Sequence, residues 1–428
     1  MRVRWVVCVA LGLVLVCGSV PAGAANPLLV GGDRLISGSG VVDDQRPVVA
    51  WNASAEEFLV VWMRCRDLYD CDVVGRRVGA DGGPVGGIFR IGGNYAVYPA
   101  VAWNATANEY LVVWQDWRDP GTRGEWDIFG RRVGADGRPL GRGFRISGRH
   151  ATGAEYAPAV AWNAAANQYL VVWRDQRNLA TVGSEIFGRR VGADGKTDGS
   201  DFRISGRHAK GTFQASVAAH GTADEYLVVW DDGRAGATRF GDIYGRRIGS
   251  DGRPNGGDFR ISDYRATGGK ESPAVAWSEA TGRYLVVWAD GRDRDARGID
   301  IRGRRVDAEG TTIARDFRIN RKTTGLRTTL GDTDPAVAWS DTARQYLVVW
   351  SDGRDEATRG FDIEGRRVGA NGRPIGGDIR VSGYRATAHD RSPGVAWDQT
   401  SGQYLVVWED WRSEPDRDRD IYGRRVAG

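Results

Sequence analysis

Seven tryptophans, Trp62, Trp114, Trp173, Trp230, Trp288, Trp350 and Trp408, each close the string "VVW" (52, 59, 57, 58, 62 and 58 residues apart). A fixed period of this size means that one supersecondary unit is stacked against copies of itself, so the fold has to be read from the unit. Ahead of each copy stands "AVAW" or a relative, giving Trp51, Trp103, Trp162, Trp277, Trp339 and Trp397, with Ala219 at that place in the fourth copy. Behind each comes "GRRV" or "GRRI", and then, in all but the last, "FRIS" or a variant.

The second copy parses into four short strands. "PAVAW" is the first, "EYLVVWQD" the second, "DIFGRRVG" the third and "GFRIS" the fourth, with Asp136-Gly137 as a hairpin signal between the last two. In the second strand Tyr110, Val112 and Trp114 alternate with Leu111 and Val113, so both faces are apolar and the strand is sandwiched. Four antiparallel strands per unit, without helical periodicity, describe a β-propeller blade. The last copy ends after its third strand, whereas residues 32–40, "GDRLISGSG", match a fourth strand before the first "VVAW". The expected fold is therefore all-β: a seven-bladed β-propeller of four-stranded antiparallel blades, closed by the N-terminal strand completing the last blade and pairing both open edges.

The repeats resemble those of secreted bacterial β-propeller proteins over nearly all of residues 26–428. The resemblance is one of architecture. The "GH…WD" signature, the S-x-D-x-G-x-T-W box and calcium loops of the D-x-D-x-D-G type are all missing, so it brings no functional residue with it.

Residues 1–25 begin with Arg2 and Arg4, continue as an apolar run and end in Ala22-Gly23-Ala24, the pattern of a cleaved signal peptide. The remaining 26–428 form the single propeller domain, with no membrane span and with a secreted, extracellular or cell-envelope location. Of the four cysteines, Cys8 and Cys17 leave with the leader, and Cys65 and Cys71 are expected to form a disulfide. Net charge is only +4, and 55 Arg against four Lys are spread evenly through the repeats. A nucleic-acid footprint would be a clustered basic face, so nucleic acid is discounted as a partner.

Six copies carry Asp-x-Arg after the tryptophan, and all seven have an acid at or beside the start of the third strand. The sets are Asp116, Arg118 and Asp127; Asp175, Arg177 and Glu185; Asp232, Arg234 and Asp242; Asp290, Arg292 and Asp300; Asp352, Arg354 and Asp362; Asp410, Arg412 and Asp420. They read as structural staples, with acid and Arg facing each other across a hairpin neck; a ligand site repeated in every blade is the competing reading. The first copy has Arg64-Cys65-Arg66 and Cys71-Asp72 there, so a disulfide occupies the same neck. The tyrosines opening the second strands, Tyr110 among them, are expected to pack blade against blade, with sugar platforms as the alternative.

Function on a rigid repeat is usually carried by its variable loops. The second-to-third strand loops and the inter-blade links share one face, and on it stand Trp117, Trp126, Trp411, His150, His208, Tyr264, Arg265, Tyr384 and Arg385 as candidate ligand-binding residues. Trp117, Trp126 and Trp411 are equally readable as caps of the rim. No G-x-S-x-G, H-E-x-x-H or isolated carboxylate pair points to catalysis, so no catalytic or metal-binding residue is assigned. No cofactor is expected, and calcium has no motif in its favour. The sequence thus leads to a secreted, monomeric, non-enzymatic protein that binds an extracellular glycan or a protein on that rim. The alternatives are a polysaccharide hydrolase or lyase over the central channel and a protein-binding scaffold.

Overall fold

The computed structural model describes residues 26–428 apart from 27, 39–41, 68–69, 118–125, 149–152, 235–240, 265–267, 294–297, 322–331, 354–359, 384–388 and 412–418. The expected leader lies outside the described residues. Within them, 28 strands form seven four-stranded antiparallel sheets, six of them built from consecutive strands. The seventh has the order β1 (Leu29–Leu35), β28 (Asp420–Ala427), β27 (Gln403–Asp410), β26 (Arg391–Asp398). Leu29 faces Val426 and Leu35 faces Tyr422, so the N-terminal strand closes the ring as expected. The second and third strands of the second blade, Glu109–Asp116 and Asp127–Gly134, match the sequence reading, while its fourth begins earlier, at Pro139.

The doubly apolar "YLVVW" strand has a simple explanation. Tyr110, Val112 and Trp114 pack on Leu59, Val61 and Ile91 of the blade before, and Leu111 and Val113 pack on Tyr169, Val171 and Trp173 of the blade after. Each inter-blade layer is thus filled by the two faces of adjacent second strands. The seven tryptophans closing "VVW" are fully buried, each contributing several kcal/mol of apolar burial by the usual ~25 cal/mol per Å². The same layer joins blade 7 to blade 1, where Ile36, Leu405 and Val407 meet Trp51, Phe58 and Trp62. The second-strand tyrosines are at most 2% exposed, which removes them as sugar platforms.

The "GRR" arginines lock the layers. Arg189 donates to the Gly199 carbonyl of its own fourth strand (Nε, 2.9 Å) and to the Ile146 carbonyl of the preceding blade (Nη1, 2.9 Å). Arg131, Arg246 and Arg304 repeat this two-blade clamp. The second arginine pairs back to the start of the second strand, as Arg247 does to Glu225 at 2.9 Å. Both doubled arginines therefore have structural work. No helix among the described residues is long and apolar enough to cross a membrane.

Candidate functional site at the channel mouth

The charged necks come first, because they set the rim. Antiparallel register places Asp175 directly opposite Glu185, and Asp232, Asp290, Asp352, Asp410 and Asp116 opposite Asp242, Asp300, Asp362, Asp420 and Asp127. Acid therefore faces acid, where the sequence suggested that acid faces Arg. In blades 3, 4 and 5 each of these carboxylates is neutralised by its own arginine. Arg177 folds back on Asp175 through two hydrogen bonds (2.9 and 2.7 Å) and reaches Asp201 on the fourth strand. Arg203, from "FRI", takes Glu185 at 2.7 Å. Arg234 and Arg292 repeat the first pattern with Asp232–Asp258 and Asp290–Asp316, and Arg260 and Arg318 repeat the second with Asp242 and Asp300. In blades 2, 3, 4, 5 and 7 the first acid also accepts the buried indole N–H two residues back, as from Trp114 to Asp116 at 2.7 Å. Asp-x-Arg is thus a compact turn that ties second, third and fourth strands together.

Blade 1 solves the same problem differently. Arg64 stands where the other blades have Asp, and Asp44 of the first strand takes over, accepting from Arg64 at 2.8 and 2.9 Å and from the Trp62 indole at 2.7 Å. One register step further, Cys65 and Cys71 face each other and are joined in a disulfide.

Inside this ring the first strands of successive blades stand side by side around the channel. In six of them a β-bulge falls on an x-Pro pair, and x has a left-handed backbone. The residues are Arg46 (φ 50°), Tyr98 (54°), Ala157 (49°), Ser272 (54°), Asp334 (51°) and Ser392 (53°). Such a φ costs a non-glycine residue about 1–2 kcal/mol, and the same cost recurs six times around one opening. The innermost strand is a sheet edge, and proline there removes a donor that would invite pairing. The bulge lies near the strand's entry, on the face that carries the links and the second-to-third strand loops. These pairs line a cavity of about 260 Å³.

Everything around the bulge repeats, but x does not. Arg46 sits over the Tyr98 ring at 4.3 Å, with Asp334, Ser272 and Ser392 further round. The variable residue of "VVW-x-D" supports the bulges from the neighbouring blade: Glu409 accepts the Arg46 N–H (3.0 Å) and Gln115 accepts the Ala157 N–H (2.9 Å). The sequence reading passed over these positions. The signal was present, in the one residue of "x-PAVAW" that changes chemistry from copy to copy.

Blade 4 breaks the pattern. It has Gln214-Ala215 in place of x-Pro, and the Asp231 carboxylate holds the Phe213 and Gln214 N–H groups at 3.2 and 2.7 Å. Burial, and to a smaller degree the charge of Glu271, push the Asp231 carboxyl up to about 6. Phe213 remains 58% exposed, with the Arg174 guanidinium 5.0 Å from its ring and 5.5 Å from that of Tyr156. His220, beside the Ala219 that replaces the tryptophan, stacks on Trp277 at 4.0 Å, and its Nδ1 accepts the Ala223 N–H at 3.0 Å. It does for this turn what the Asn163 side chain does for the Ala166 N–H in blade 3.

The loop candidates separate into groups. Trp117 and Trp126 are half-buried and stacked together at 5.8 Å, with Tyr95 6.0 Å from Trp117, and Trp126 packs over the Cys65–Cys71 disulfide. Trp411 is half-buried beside His389 (5.7 Å) and under Arg419 (4.8 Å). His208 and Tyr264 are exposed, Tyr264 by 57%. His150, Arg265, Tyr384 and Arg385, like the staple residues Arg118, Arg354 and Arg412, lie outside the described residues. Among the described residues no group of three or more His, Cys, Asp or Glu is placed to hold a metal ion.

No family model matches the chain, and no curated protein does. Solved structures do match. A protein of unknown function from Dyadobacter fermentans shares 10% identity at a TM-score of 0.54, over 78% of this chain and 94% of its own. The α-L-arabinanase of Penicillium chrysogenum, complexed with arabinobiose, shares 14% at 0.52, over 77% and 93%. A puromycin hydrolase shares 13% at 0.50, over 91% of this chain and 52% of its own. At these identities the likeness is one of fold.

Proposed function

We propose that the protein is an exported binding protein that takes a carbohydrate at the mouth of the central channel, on the face of the links and second-to-third strand loops. One observation carries this reading: six strained x-Pro bulges hold side chains of five different types around one cavity, while the repeat around them is constant. Backbone strain kept at a shared opening is a mark of functional sites. Arg46, Gln214, Asp334 and the two serines supply hydrogen bonds for hydroxyl groups, and Tyr98, 37% exposed, supplies an aromatic ring in the lining. Export accords with the disulfide and with the charge pattern of residues 1–25.

A glycan array, run with and without calcium, tests the reading. Binding to one sugar class that is lost in Arg46→Ala and Tyr98→Ala would support it. Loss in Trp117→Ala or Trp411→Ala alone would move the site to the outer rim, and a blank array would transfer the weight to a protein partner.

A hydrolase over the channel is the second reading, favoured by the Asp231 carboxyl raised to about 6 beside Glu271. It requires turnover of a bound glycan that Asp231→Asn abolishes without weakening binding.

A further inference from the structure

The crevice between blades 4 and 5 is built from Arg260, Ser262, Asp263 and Tyr264 of one blade and Arg304 and Arg315 of the next, and encloses about 300 Å³. It lies on the outer side of the ring and shares no residue with the channel mouth. We infer that it is a second ligand site, for a monoanionic sugar bearing a carboxylate, a hexuronate residue.

The cationic wall has capacity to spare. Arg260 is committed to Asp242 at 2.8 Å. Arg315 is exposed and, among the described residues, has neither hydrogen-bond nor ion-pair partner. Arg304 keeps the inter-blade clamp through Nε and Nη1, both at 2.8 Å. In Arg131, Arg189 and Arg246 the Nη2 group also bonds the bulge carbonyl, at 2.7 to 3.0 Å. Arg304 does not spend it there. Two guanidinium edges therefore face one cavity, and a carboxylate is the small anion whose planar geometry they match.

The remaining walls narrow the class. Tyr264, 57% exposed, offers an aromatic face that a bare inorganic anion could not cover. The Asp263 carboxylate opposes a dianion such as phosphate and accepts hydroxyl hydrogen bonds, which a sugar provides. The volume is at the small end for ligand pockets, suited to one monosaccharide unit.

The repeat contains its own control. Between blades 1 and 2 the same positions carry Arg90, Arg131 and Arg142, but Gly92, Gly93 and Asn94 stand where Ser262, Asp263 and Tyr264 do. That crevice has the positive charge without the ring or the acid.

The mature chain should be titrated with galacturonate, glucuronate, galactose, sulfate and phosphate, followed by NMR or calorimetry. Saturable uronate binding is expected, weakened at least tenfold in Arg315→Gly and in Tyr264→Ala, and unchanged in Arg142→Gly and in Arg46→Ala. Sulfate or phosphate binding that depends on Arg315 but ignores Tyr264 would overturn the sugar assignment. So would equal binding of galactose, or no binding at all. Thermal unfolding of each variant separates loss of binding from loss of fold, and Arg46→Ala separates this site from the channel mouth.

Discussion

Arg64 and Asp44 of blade 1 pair across the same two register positions at which blade 5 sets Lys270 opposite Asp290, with the charges reversed. Both pairs are placed at the neck where a blade meets its loops, and Asp44, Lys270 and Asp290 are at most 1% exposed. Removing one partner leaves a buried charge alone, a loss of about 3–5 kcal/mol. Arg64→Met should therefore destabilise the fold by that amount in chemical denaturation. The swap Asp44→Lys with Arg64→Asp should recover more than half of it, since Asp at position 64 restores the indole acceptor that Trp173 finds in Asp175. Additive losses in the double variant would show that the two residues do not act as a pair.

Glu155 occupies the same position in blade 3, fully buried and opposite Asp175. Burial, reinforced by the Asp175 charge, pushes its carboxyl up to about 9. The folded protein thus holds a proton that the unfolded chain releases above about pH 4.5. Stability from this group is complete below that pH and falls as pH rises toward 9, by at most ~1.4 kcal/mol per unit. Glu155→Gln, neutral at every pH, should raise the melting temperature at pH 8 and have little effect at pH 4. A gain of the same size at both would contradict the buried proton.

Ala157 is held at φ 49° by the channel-mouth bulge. Glycine adopts this conformation without the Cβ penalty. Ala157→Gly is expected to stabilise by up to about 1 kcal/mol, against the usual destabilising effect of glycine in a strand. Gln214→Gly, at the one position of the ring without a left-handed backbone, should destabilise. Matched losses at the two sites, read from urea unfolding, would remove strain from the account of the mouth.

His220 combines a turn cap and a ring stack. His220→Ala should lose about 1–2 kcal/mol, the sum of a missing cap and an aromatic contact. His220→Asn keeps the acceptor and should lose only the stacking part. If Asn is as costly as Ala in thermal unfolding, the Nδ1 bond to Ala223 contributes nothing.

The blade and its count were legible in the sequence because a strand apolar on both faces has only one use, to be sandwiched between copies of itself. The orphan strand around Leu35 and the unmatched third strand at Tyr422 likewise allow one closure. The disulfide followed from two cysteines six residues apart at one hairpin neck. The partners of the charges did not follow. Arg177 could meet Glu185 or Asp201 by sequence distance alone, and only the register, which sets Asp175 opposite Glu185, sends it to the fourth strand.

The sites show the same division. Trp117 and Trp411 stand out in a sequence as large aromatics in loops, yet they are half-buried against Trp126 and Arg419. Arg46, Tyr98, Gln214 and Asp334 are ordinary residues 52, 116 and 120 positions apart, and nothing local joins them. Local pattern determined the repeat, since periodicity and turn chemistry act over a few residues. Tertiary structure decided which variable positions share a cavity, because ring closure brings seven first strands, distant along the chain, around one channel.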